Sequence, residues 1–129
     1  MHAGDVVAPS ALEEIERIGP PVRAVHGNVD SPELRRKLPP RLELRLEGVL
    51  IGVVHDAGPA AGRLGRLRAA FSGADAVIFG HTHRPEHRVA GGFQIFNPGS
   101  PTERRRAPMR SMGLAELRDG RISFRHVPL

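Results

Sequence analysis

The chain contains no cysteine, tryptophan or tyrosine, and only five phenylalanines. Without thiols there can be no disulfide, no thiolate metal site and no cysteine nucleophile. With so few aromatics, any core must be built mainly from Val, Ile, Leu and Ala. No apolar run approaches the roughly 18 residues that a bilayer span requires. The N-terminus lacks the basic-then-apolar layout of a secretory signal. A cytoplasmic protein with no membrane partner is the expectation. Lysine is nearly absent too: of 19 basic residues, all but Lys37 are arginine, and they outweigh 14 acidic residues to give a net charge of +5. That charge is spread along the chain except at Arg104, Arg105 and Arg106. Nucleic-acid readout usually pairs basic groups with stacking aromatics, so a nucleic-acid partner is not expected.

At 129 residues with 40% hydrophobic content, the chain has the size and composition of one globular domain, assigned to residues 1–129. Pro9 to Ile18 reads as a helix, with Ser10 and Glu13 spaced as a capping box. Val22 to Val25 reads as a short strand, and a loop or short helix follows through Leu38. Arg41 to Leu46 alternates in the manner of a half-exposed strand. Val49 to Val54 and Ala76 to Phe79 are continuous apolar runs of the buried-strand kind. Gly62 to Phe71 between them has helical spacing. Arg88 to Phe96 reads as a hairpin about Gly91-Gly92. Gly113 to Arg118 and Arg121 to Val127 are joined by Asp119-Gly120, a hairpin turn signal. The order predicts an α/β fold with a mixed sheet.

The chemistry is concentrated where short apolar strands run into glycine-flanked loops. Such loops carry Asp5 after Gly4, Asn28 after Gly27, His55 after Val54, and His81 and His83 after Gly80. Ligands of α/β sheets bind beyond the carboxyl ends of the strands. Imidazole, amide and carboxylate donors gathered there suit Mn, Fe, Zn or Ni. Taken singly, Gly-Asp and Gly-Asn are ordinary turn pairs; the set in this order is far more specific.

That ordered set, Gly-Asp-Val, Gly-Asn-Val-Asp, Val-Val-His, Phe-Gly-His-Thr-His-Arg-Pro and Asn-Pro-Gly-Ser, resembles the calcineurin-like metallophosphoesterase superfamily. Within it, the chain looks like the small prokaryotic phosphodiesterases. The resemblance implies a four-layer α/β/β/α sandwich with mixed sheets and a centre for two divalent metals. It implies that Asp5 bridges the metals, that Asn28, His55 and His81 complete one site, and that His83 serves the other. Two cations about 3.5–4 Å apart would grip phosphate oxygens and generate a hydroxide for in-line attack. Asp5, Asn28, His81 and Arg84 are the expected catalytic residues, with Arg84 neutralising a phosphate oxygen. The expected substrate is a small or nucleotide-like phosphoester. A homo-oligomer is left open.

The same pattern exposes departures. The family opens with a strand ending in Asp-x-His, and no Asp-x-His occurs in this chain. A βα segment of roughly 30 residues is therefore expected upstream of Met1, either left out by a start placed too far downstream or truly lost. Asn28 is followed by Val29 where many relatives carry a proton-donating His; His26 either substitutes for it, or packs or faces solvent. Asp56 either orients His55 or is an ordinary loop carboxylate. The alternative to an enzyme is a non-catalytic interaction module, since this fold also serves as a scaffold subunit in the eukaryotic retromer.

Overall fold

The computed structural model describes all residues 1–129. The elements run α1 (Pro9–Glu16), α2 (Pro32–Lys37), β1 (Arg41–Leu46), β2 (Val49–Val54), α3 (Arg63–Ala70), β3 (Ala76–Phe79), β4 (Glu86–Ala90), β5 (Phe93–Asn97), β6 (Ser111–Arg118) and β7 (Arg121–Pro128). Five strands form one mixed sheet in the order β1-β2-β3-β5-β4, and β6 and β7 form a separate antiparallel pair. Strands β2, β3 and β5 are parallel, whereas β1 and β4 lie antiparallel at the two edges.

The period-two alternation of a strand makes the central sheet serve two cores at once. From β3, Ala76 and Ile78 join Val25, Val49, Ile51, Val53 and Ile122 on one face. Val77 and Phe79 turn to the other face, against Leu67 and Phe71 of the α3 region and Phe93 and Ile95 of β5. A third apolar cluster, Val6, Leu12 and Leu34, seats α1 and α2. The first cluster thus lies between the five-stranded sheet and the β6–β7 pair, the second lies between the sheet and α3, and the third gathers α1 and α2. This is the expected α/β sandwich with a mixed sheet. No helix is long and apolar enough to cross a membrane.

Several local expectations change. α1 is capped by Ala8 with Pro9 in its first turn, and no side chain caps it. Pro9 lacks an N–H and has its φ pre-set, so it takes the first position and displaces the Ser10–Glu13 capping box into the helix. The cap that does form is on α2, where Ser31 Oγ accepts from Leu34 N–H at 3.3 Å. The Val22–Val25 strand shrinks to one parallel bridge between His2 and Ala24. The closing turns at Glu47-Gly48 and Asp119-Gly120 have both residues at positive φ, the twist that antiparallel hairpins favour.

A partly buried ion pair ties α3 to the edge strand β4. Arg63 Nη1 meets Glu86 Oε2 at 2.5 Å, and Nη2 donates to the Gly58 carbonyl at 2.8 Å. Breaking such a pair from one side strands a desolvated charge. Glu86→Leu should therefore lower stability by about 1–3 kcal/mol, read as a drop in the midpoint of urea unfolding. An unchanged midpoint would show that the Gly58 carbonyl and the Phe79 ring, 5.1 Å from the guanidinium, alone satisfy Arg63.

Candidate metal centre

Parallel neighbours leave a sheet at the same edge, so β2 and β3 deliver His55 and Gly80-His81 side by side. Gly80 N–H donates to the His55 carbonyl at 2.9 Å. The other two loops are joined upstream: His2 N–H donates to the Arg23 carbonyl, and Val25 N–H returns to the His2 carbonyl. Residues 2–5 and 23–28 therefore run alongside one another and end at Asp5 and Asn28.

One buried carboxylate locks those two loops together. Asp30, 6% exposed, accepts from Gly27 N–H at 2.6 Å, Val7 N–H at 2.6 Å and Asp5 N–H at 3.1 Å. Asp5 reciprocates, its Oδ1 accepting from Val29 N–H at 3.0 Å. Asp5 and Val7 are consequently held at φ 59° and 79°, a region that a branched side chain such as valine rarely enters. His81 and His83 also lie at positive φ, 68° and 60°. Backbone conformations of this cost persist only where surrounding bonds over-determine them. The packing is close as well. A Cβ on Gly27 would overlap the Asp5 carboxylate, and one on Gly4 would stand 2.6 Å from His55 Nδ1.

Four donor atoms converge at the end of these loops. His55 Nε2 lies 2.9 Å from Asn28 Oδ1, 3.2 Å from Asp5 Oδ2 and 3.3 Å from His81 Nδ1. His81 Nδ1 is also 3.2 Å from Asn28 Oδ1. The ligand atoms of Asp5, His55 and His81 all fall within 4.8 Å of one another. His55, 7% exposed, has its other nitrogen 2.7 Å from the Ala3 carbonyl. A carbonyl only accepts, so Nδ1 carries the proton and the Nε2 lone pair faces the cluster. Two imidazole nitrogens, an amide oxygen and a carboxylate thus face one another. A proton on one ring would satisfy one or two of them, whereas a divalent cation satisfies all four. The chemistry of the set fits a transition metal. The Ala3 carbonyl behind His55 is the outer partner such ligands usually have.

The remaining candidates stand differently. His83 is not in this cluster: its Nδ1 donates to the Glu103 carbonyl at 2.7 Å, which leaves Nε2 as the nitrogen available to a ligand. Arg84 is exposed, and its only hydrogen bond is from its backbone N–H to Thr82 Oγ1. Asp56 does not orient His55; its Oδ1 accepts from Gly58 N–H at 2.8 Å, the local turn its short side chain favours. The His26 ring makes no hydrogen bond, and only its backbone N–H is engaged, by the Pro39 carbonyl. Asn97 is fully buried and braces the histidine loop, with Nδ2 donating to the Gly80 carbonyl at 3.0 Å and to Thr82 Oγ1 at 3.1 Å. The sequence reading missed Asp30 as an organiser, although it stands within the quoted Gly-Asn-Val-Asp string. Its signal was an Asx-type residue three positions after a glycine, which is common in any turn.

Sequence comparison places the chain. The profile of the calcineurin-like phosphoesterase superfamily domain matches residues 1–120. The chain belongs to this superfamily. A probable metallophosphoesterase of Methanothermobacter thermautotrophicus is 36% identical over 104 residues, covering 79% of this chain and 59% of that protein. One from Methanocaldococcus jannaschii is 33% identical, covering 100% of this chain and 65% of its own length. The chain thus spans less than two thirds of either relative. An archaeal phosphodiesterase superposes with a TM-score of 0.79 at 20% identity, over 99% of this chain and 81% of that one, a likeness of fold. In this phosphoesterase domain, the Asp5 and Asn28 loops are the ones that Asp30 ties together.

Two measurements follow from this geometry. Asp30→Asn places an amide N–H₂ against backbone N–H donors, so it should cost about 1–3 kcal/mol and weaken metal uptake in parallel. A variant that unfolds at the wild-type urea midpoint would contradict the role given to Asp30. Burial holds the His2 imidazole below its ordinary value of 6.5, against the opposing pull of Asp30 and Asp5. The unfolded chain then binds the proton more readily, and stability should rise with pH from the depressed folded value up to about 6.5. His2→Gln should flatten that part of the profile of unfolding midpoint against pH.

Proposed function

We propose that this domain is a metal-dependent phosphoesterase acting on small or nucleotide-like phosphodiesters. The observation that carries the reading is the convergence of the Asp5, Asn28, His55 and His81 donor atoms, with the His55 Nε2 lone pair aimed into the cluster by Nδ1–H donation to Ala3. These four residues would hold a divalent transition metal, with Mn, Zn, Fe and Ni as the candidates. Such an ion supplies Lewis-acid stabilisation of charge on a phosphoryl oxygen. Arg84, exposed and without an ion-pair partner, stands beside the histidine loop, where it can neutralise a further phosphate oxygen. Asn97 and Asp30 keep the loops in place so that little reorganisation accompanies binding. Val29 follows Asn28 and offers no proton, and the His26 ring is tied to nothing that would aim it. Leaving-group protonation then falls to solvent, which favours esters of acidic alcohols.

A second reading, a metal-binding interaction module without turnover, draws on His83 standing outside the cluster with its Nδ1 committed to Glu103. One experiment separates the two. The protein is loaded with manganese or zinc, its metal content is measured, and hydrolysis of bis-p-nitrophenyl phosphate is followed. The phosphoesterase reading expects bound metal and turnover. His55→Ala should lower metal affinity by about 10-fold or more, since it removes a ligand whose outer partner alone is worth 10–100-fold in comparable sites. Bound metal without turnover supports the interaction module. A protein that takes up no metal sinks both.

A further inference from the structure

Two arginines from separate elements reach the backbone of the ligand residues themselves. Arg35, in the last turn of α2, donates from Nη2 to the Asn28 carbonyl at 2.7 Å. Arg105, in the loop between β5 and β6, donates from Nη1 to the His81 carbonyl at 3.4 Å. Asn28 and His81 adjoin in the cluster, so both guanidinium groups stand at its rim. Each uses one nitrogen on a carbonyl and keeps others free to donate. Arg105 lies at φ 48°.

The charge around the cluster exceeds what a simple diester needs. Arg35 and Arg84 belong to no ion pair, and Arg105 has only a loose one, its Nε 3.8 Å from the exposed Glu103 carboxylate. Asp5 is the one carboxylate in the donor cluster, so a bound divalent cation would leave the centre positive as well. A phosphodiester carries one negative charge. Guanidinium forks are suited to phosphate oxygens, which they can grip with two N–H groups.

We infer that Arg35 and Arg105 form an anion clamp beside the metal cluster, which selects small phosphoesters bearing a second phosphate group. The inference rests on the phosphoesterase reading and adds the substrate class to it. Both arginines are exposed, so the selectivity is screened by salt and grows as ionic strength falls.

The test uses manganese-loaded protein and two probes, adenosine 5′-monophosphate and adenosine 3′,5′-bisphosphate, with affinities from calorimetry. Wild-type protein should bind the bisphosphate about five-fold more tightly, the size expected from two exposed ion pairs. Arg35→Ala and Arg105→Ala should each reduce that ratio, and the double variant should bring it near one. Arg35→Lys, which keeps the charge, should retain most of the preference. If the arginines only brace the loops, both probes weaken together and the ratio stays where it was, which overturns the clamp. A wild-type ratio near one overturns it too. Turnover of bis-p-nitrophenyl phosphate is measured on the same samples. Turnover without a bisphosphate preference removes the clamp and leaves the phosphoesterase. A preference without turnover removes the catalytic reading, and the clamp with it as a determinant of substrate.

Discussion

The site depends on the Asp30 carboxylate and the three backbone N–H groups it accepts, from Asp5, Val7 and Gly27. A buried carboxylate is costly unless its lone pairs are used. Here they are used on two chain segments that are distant in sequence. The result is a rigid corner in which Asp5 and Val7 tolerate positive φ and Asn28 is presented at a fixed height. The second corner is built on Asn97, which holds the histidine loop by its side-chain amide. Donors meant for a metal must be placed to within a fraction of an ångström by groups that are themselves held, and these two buried side chains hold the loops from beneath.

Between the corners lies an arrangement that is poorly satisfied by protein atoms alone. Two imidazole nitrogens, an amide oxygen and a carboxylate oxygen face each other at 2.9–3.3 Å. The fold holds the set together with the Ala3 carbonyl behind His55 and the close approach of Gly4 and Gly27. The donor cluster and the arginine-rich rim are complementary parts of one surface. The first suits a cation, and the second suits the anion that the cation would attract.

Much of the fold could be read from residue patterns. The apolar runs at 49–54 and 76–79 are strands, the hairpins close at Asp119-Gly120 and near Gly91-Gly92, and the helix after Gly62 lies where its spacing placed it. The Ser10–Glu13 pair failed because Pro9 claims the first turn, a local competition that a motif match does not weigh. The Val22–Val25 strand failed for a different reason. A strand exists only with a neighbour, and here the neighbour contributes a single bridge.

The sequence by itself determined the family and the kinds of donor available, because motif order and residue chemistry are local properties of the chain. It also determined that no thiol takes part. Only the tertiary structure decided which donors meet. Asp5, Asn28, His55 and His81 are brought together by parallel strands ending at one edge and by backbone bonds to Asp30, none of which is encoded within a single motif. The same three-dimensional closure turned His83 to the Glu103 carbonyl and Asp56 to its own loop. It also carried Arg35 and Arg105, which no motif contains, to the carbonyls of two residues in the cluster.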